Sequence, residues 1–227
     1  MSWRDSIRQL SPRSEFLIVI GSTFGINFVL FLAGLAQQDI PHQIEFNDAR
    51  LLWLLTYEVI VSTLLVGFLY VRGSRPADFN LRLTRRTFGM AGFLFAGFYL
   101  YGIVMGVIAN AFGVSHVFTQ ISFQGSVSLP VIFLVSVINP VFEEVLTIAY
   151  VMKALRPHGA AFAIGTSAWL RLVAHAYQGP LAAVVVFPLG IAFGMVYWRT
   201  RELWPLILTH GLIDLVGLLS IRAAGSS

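Results

Sequence analysis

An all-α bundle of transmembrane helices is the fold class this sequence predicts, and three observations carry the prediction. The 227 residues are 57% hydrophobic and 11% charged, against about 25% charged in soluble domains. Apolar runs of about 20 residues, the length that crosses ~30 Å of hydrocarbon, recur seven times along the chain. Lys and Arg gather in alternate connections between those runs, as cytoplasmic loops require.

The runs lie near 16–36, 51–71, 88–112, 127–154, 160–176, 180–198 and 203–221. The N-terminal stretch MSWRDSIRQLSPRSE is too polar, with too few small residues before the first run, for a cleaved signal, so the run from Phe16 is expected to stay as a helix. Basic residues mark the N-terminus (Arg4, Arg8, Arg13), the second loop (Arg72, Arg75, Arg82, Arg85, Arg86), Lys153 with Arg156, and Arg199 with Arg201. The loops between hold only Arg50 or no basic residue, which places the N-terminus in the cytoplasm. The fourth run is long, and a break at Pro140 would make eight spans and reverse the later part of the chain. No repeat of 20–50 residues and no linker is evident, so residues 1–227 read as one integral membrane domain. Trp53, Tyr197, Trp198 and Trp204, near run ends, are expected at the lipid–water interface. His42, His116 and His158 fall in loops and read as surface residues. The lack of cysteine excludes disulfides, thiolate zinc sites and a cysteine nucleophile. A net charge of +4 spread over short loops suits membrane topology rather than nucleic-acid binding.

Chemistry concentrates in the later runs. The stretch NPVFEEVLTIAY, Asn139 to Tyr150, sets Glu143 beside Glu144 inside an apolar span. An acid there costs roughly 2.5 to 3.5 kcal/mol on insertion scales and generally faces a polar cavity. Pro140 removes a backbone donor and is expected to bend the helix just before the acids. AWLRLVAHAY carries Arg171 and His175, and WPLILTHGLIDLVG carries His210 and Asp214; each pair is spaced i, i+4, on one helix face. At ~1.5 Å rise per residue from the basic end of each span, Glu143 lies about 20 Å deep, His175 about 24 Å, His210 about 14 Å and Asp214 about 20 Å. Groups from three spans can therefore meet near mid-membrane. Glu58, in the second span, reads as a hydrogen-bonded interhelical acid rather than a wall of that cavity.

A carboxylate and an imidazole facing one water can act together as a general base, and a second imidazole beside a polar group can stabilise an oxyanion. The sequence has no HExxH zinc helix and no second membrane aspartate to pair with Asp214. GTSA, at Gly165 to Ala168, lacks the final glycine of a GxSG serine site and would leave the acids without a role. Two histidines and a carboxylate are also metal-ligand types, but nothing in the spacing demands a metal, and no cofactor is expected.

Over roughly residues 127–221 this arrangement resembles the CAAX protease and bacteriocin-processing family, also called the Abi family. Its pattern is EExxxR on one helix, FxxxH on the next and HxxxN or HxxxD on a later one. Glu143 with Glu144, His175, and His210 with Asp214 match; Ile148 stands where the family has arginine, and Arg171 where it has phenylalanine. The resemblance implies a membrane-embedded endopeptidase, generally held to need no metal, that cuts a peptide bond of a membrane-associated substrate in a bacterial cytoplasmic membrane. It implies Glu143 as principal base, His175 as its partner, His210 with Asp214 on the oxyanion side, and Glu144 as an orienting group within a catalytic core at 127–221. The two departures suggest that the guanidinium has moved from the fourth helix to the fifth, with Arg171 balancing Glu144. Two other readings stay open. Buried acids, imidazoles and a guanidinium also build proton or solute carriers, although no inverted repeat supports one, and a non-catalytic immunity or scaffold protein would keep the same fold.

Overall fold

The computed structural model describes residues 3–37, 43–75, 83–115, 122–178 and 182–224. His42, His116 and Arg82 of the second loop lie outside the described residues. The helices are α1 (Trp3–Arg8), α2 (Pro12–Gln37), α3 (Asp48–Val71), α4 (Arg85–Ala111), α5 (Leu129–Ala154), α6 (Ala160–Ala174), α7 (Phe187–Thr200) and α8 (Trp204–Ala224). Their starts follow from local chemistry. The Asn47 side chain accepts from the Arg50 amide at 3.0 Å to cap α3, and Thr84 with Thr87 forms a capping box on α4. Pro130, Pro188 and Pro205 lie in the first turns of α5, α7 and α8, where a missing N–H is harmless.

Among the described residues, α2, α3, α4, α5 and α8 are long and apolar enough to cross a membrane. The fifth and sixth predicted spans are shorter: α6 has 15 residues, which rise only about 22 Å, and the other apolar stretch is Val184–Thr200. α6 is short because it is bounded by Gly159, at φ 90°, and by a turn at His175. No break opens at Pro140, so α5 is one run and does not divide into two spans. The backbone loosens one turn later instead, as a π-helical segment from Glu144 to Tyr150. Such segments are frequent at functional sites.

One feature was not foreseen. β1 (Gln43–Asn47) pairs in parallel with β2 (Ser122–Ser126), register Gln43↔Ser122 to Asn47↔Ser126. QIEFN alternates polar and apolar residues as a strand does, but its partner SFQGS does not, so the pair was not legible in sequence. The strands lead into α3 and α5, whose starts are joined where the Ser128 amide donates to Asp48 at 2.8 Å. Arg222, near the end of α8, donates to the Val127 carbonyl at the same end of the bundle. At the opposite end, Arg72 donates to Glu15 at 2.6 Å, Tyr150 reaches Glu15 at 3.4 Å, and Lys153 lies 3.2 Å from Ser74. The N-terminus, the second loop and the end of α5 thus gather together.

α8 packs on α5 and α4, α6 on α7, and α3 on α5. At Gly211 the Ser136 carbonyl of α5 occupies the space a methyl group would need, and at Gly190 an added Cβ would stand 3.0 Å from Ala168 Cα. Small residues let these helix backbones approach closely. Tyr197 belongs to the core, with Ile148, Phe193 and Leu206, and not to the interface, whereas Trp53 is exposed. Leu30, Phe93, Ile103 and Val107 also face outward, as on helices solvated by lipid. The chain is a polytopic helical membrane protein.

Candidate active site

Three helices converge on Glu144. Its side chain has no exposed surface, and Arg171 of α6, 2% exposed, places Nη2 2.5 Å from Glu144 Oε1. The same oxygen lies 2.7 Å from His210 Nδ1 of α8. A buried charge must be paired and hydrogen-bonded to persist, and Glu144 has both. Arg171 extends further: Nη2 lies 3.3 Å from Thr147 Oγ1, Nη1 lies 3.7 Å from Glu143 Oε2, and the guanidinium stands 5.4 Å over the Phe193 ring. Side-chain hydroxyls also tie down the π segment. Thr147 donates to the Glu143 carbonyl at 2.6 Å and Ser167 of α6 to the Thr147 carbonyl at 2.5 Å. Ile148 is fully buried in an apolar cluster with Met152 and Phe193, so a cation reaches this region from α6 and not from position 148.

Glu143 is the more open acid, its side chain 13% exposed. Oε1 accepts from Asn139 Nδ2 at 3.3 Å, while Oε2 is buried with no hydrogen-bond partner, Arg171 being its nearest cation. The same Asn139 nitrogen donates to Glu58 Oε1 of α3 at 2.7 Å. His175 is the C-cap of α6, and its Nδ1 lies 2.9 Å from the Arg171 carbonyl oxygen. A carbonyl only accepts, so Nδ1 carries the hydrogen and Nε2 keeps the lone pair. Among the described residues no hydrogen bond or ion pair joins His175 to Glu143 directly. His210 Nε2 faces Asp214 Oδ1 at 3.5 Å, and Asp214 is 21% exposed.

Glu143, Glu144, Arg171 and His210 therefore touch where α5, α6 and α8 converge, while His175 and Asp214 are joined to them through Arg171 and His210 of their own helices. Within the set the contacts divide unevenly: Glu144, Arg171 and His210 form a buried girder, while Glu143, His175 and Asp214 lie on its more open side. Sequence reasoning missed Asn139, Thr147 and Ser167. The first two stand four residues before and after Glu143, a spacing that puts them on its helix face, so that signal was present. Among the described residues no three His, Asp or Glu side chains converge as metal ligands.

No curated protein and no solved structure matches this chain. The family model described as type II CAAX prenyl endopeptidase Rce1-like matches residues 125–216, a range that includes every α5, α6 and α8 side chain of the site, and over those residues the chain carries a domain similar to that family.

Proposed function

We propose that the chain is a glutamate-dependent intramembrane endopeptidase that hydrolyses a peptide bond of a membrane-associated substrate. The observation that carries this reading is the unequal treatment of two adjacent acids. Glu144 is enclosed by Arg171 and His210, whereas Glu143 is held at the more open side near an imidazole whose Nε2 is free to take a proton. In the proposed reaction a water between the Glu143 carboxylate and His175 Nε2 loses its proton as its oxygen attacks the scissile carbonyl. The oxyanion accepts from His210 Nε2. Because His210 Nδ1 is already engaged by Glu144, Nε2 donates when the ring carries both protons, and Glu144 and Asp214 supply the opposing charge. Collapse of the tetrahedral intermediate returns the abstracted proton to the leaving amine. Arg171 balances Glu144, the task assigned in the family pattern to the arginine that Ile148 replaces.

Residues 127–221 are the catalytic core of a single 1–227 domain in this reading, and the end bearing Glu15, Arg72 and Lys153 faces the cytoplasm of a bacterial membrane. The test is terminal proteomics of membranes containing wild type or Glu143→Gln. A new protein terminus that forms only with wild type is expected. Proton or solute flux in liposomes that disappears with Glu143→Gln, without any cleavage, would make the protein a carrier. A phenotype that survives both Glu143→Gln and His175→Ala would make it a scaffold.

A further inference from the structure

The proposed reaction makes no use of Glu58, yet α3 buries this acid, 1% exposed, in an otherwise apolar span. Its Oε1 accepts from Asn139 Nδ2 at 2.7 Å, and its Oε2 has no hydrogen-bond partner. That same amide nitrogen lies 3.3 Å from Glu143 Oε1. An amide nitrogen carries two hydrogens, one for each carboxylate, so a single side chain links an acid on α3 to the acid on α5 that faces the open side of the site. Holding α3 to α5 does not call for an acid. Leu51, Leu55, Val131 and Val135 already pack between these helices, and Asp48 binds the Ser128 amide at their starts. A buried carboxyl with one oxygen left over is a poor adhesive in lipid, where an apolar side chain would pack without that penalty.

We propose that Glu58 and Asn139 are positioning residues: Glu58 sets the direction of the Asn139 amide, and the amide, with Arg171 on the other oxygen, fixes the plane of the Glu143 carboxylate. This rests on the reading of Glu143 as the base. α3, outside the residues that match the family, is thereby part of the site.

The experiment uses the full chain reconstituted in liposomes, with a farnesylated peptide ending in Cys-aliphatic-aliphatic-X as probe, and compares Glu58→Leu, Glu58→Gln, Asn139→Ala, the Glu58→Leu/Asn139→Ala double variant and Glu143→Gln. Glu58→Leu is expected to unfold no more easily than wild type, because an acid leaves an apolar span. Its kcat falls about 10- to 10²-fold with KM unchanged, the size of effect a misplaced catalytic group produces. Asn139→Ala falls equally, and the double variant no further, since both act through one arm. Glu58→Gln keeps an acceptor oxygen and recovers most of the rate. Wild-type kcat in Glu58→Leu, equal losses in Glu58→Leu and Glu58→Gln, or a rate loss that tracks a loss of thermal stability would each overturn the positioning role while leaving Glu143 as base. Normal cutting of the probe by Glu143→Gln would overturn the reading of Glu143 and this arm with it.

Discussion

Removing Arg171 should cost more than removing the charge of Glu144, and the two losses should not add. Arg171→Met keeps much of the side-chain length but strips the cation from Glu144 Oε1, 2.5 Å away, and from Glu143 Oε2, 3.7 Å away. Breaking a buried ion pair from one side leaves an uncompensated charge and costs about 3–5 kcal/mol; two acids lose their partner here, which places this variant at the upper end. Glu144→Gln retains an acceptor oxygen for Arg171 and His210 and leaves Arg171 beside Glu143, so the loss is about 1–3 kcal/mol. In the double variant the acid that Arg171→Met stranded is gone, and the combined loss should fall short of the sum by at least about 1 kcal/mol, beyond the ~0.3–0.5 kcal/mol scatter of independent sites. Equilibrium unfolding of the four proteins in mixed SDS micelles measures this. A double-variant loss equal to the sum within that scatter would refute the pairing and, with it, the idea that a cation on α6 stands in for one at position 148.

Two further outcomes follow from single contacts. Gly211→Ala pushes a methyl group into the Ser136 carbonyl and so drives α8, with His210, away from α5; a loss of about 1–3 kcal/mol is expected, together with a greater fall in cleavage rate than the same loss of stability elsewhere causes, and wild-type unfolding would show that the helices have room to part. Thr147→Val removes a hydroxyl that donates to the Glu143 carbonyl and meets Arg171, so thermal unfolding should register about 1 kcal/mol, restored by Thr147→Ser; equal stability of the valine and serine variants would show that the hydroxyl contributes nothing.

How much was legible in the chain depends on which geometry is local. Period and rise are set by the helix backbone itself, so the class of the fold and the residues that share a depth followed from spacing, and Glu143, Glu144, Arg171 and His210 do touch. Pro140 marked where α5 departs from regularity, although as a π segment that begins at Glu144 rather than a break before the acids. Spacing carries no information about how one helix is turned toward another. That rotation is settled by packing between residues far apart in sequence, such as Gly211 on Ser136 and Gly190 on Ala168. Only the tertiary structure could therefore decide that Glu144 is the enclosed acid and Glu143 the open one, that the ring of His175 turns back onto the Arg171 carbonyl, and that Glu58, read in the sequence as an interhelical acid, finds its partner in the residue that also holds Glu143. The short α6 and the paired strands belong with these, because where a helix stops and which loops pair depend on neighbours that its own sequence does not contain.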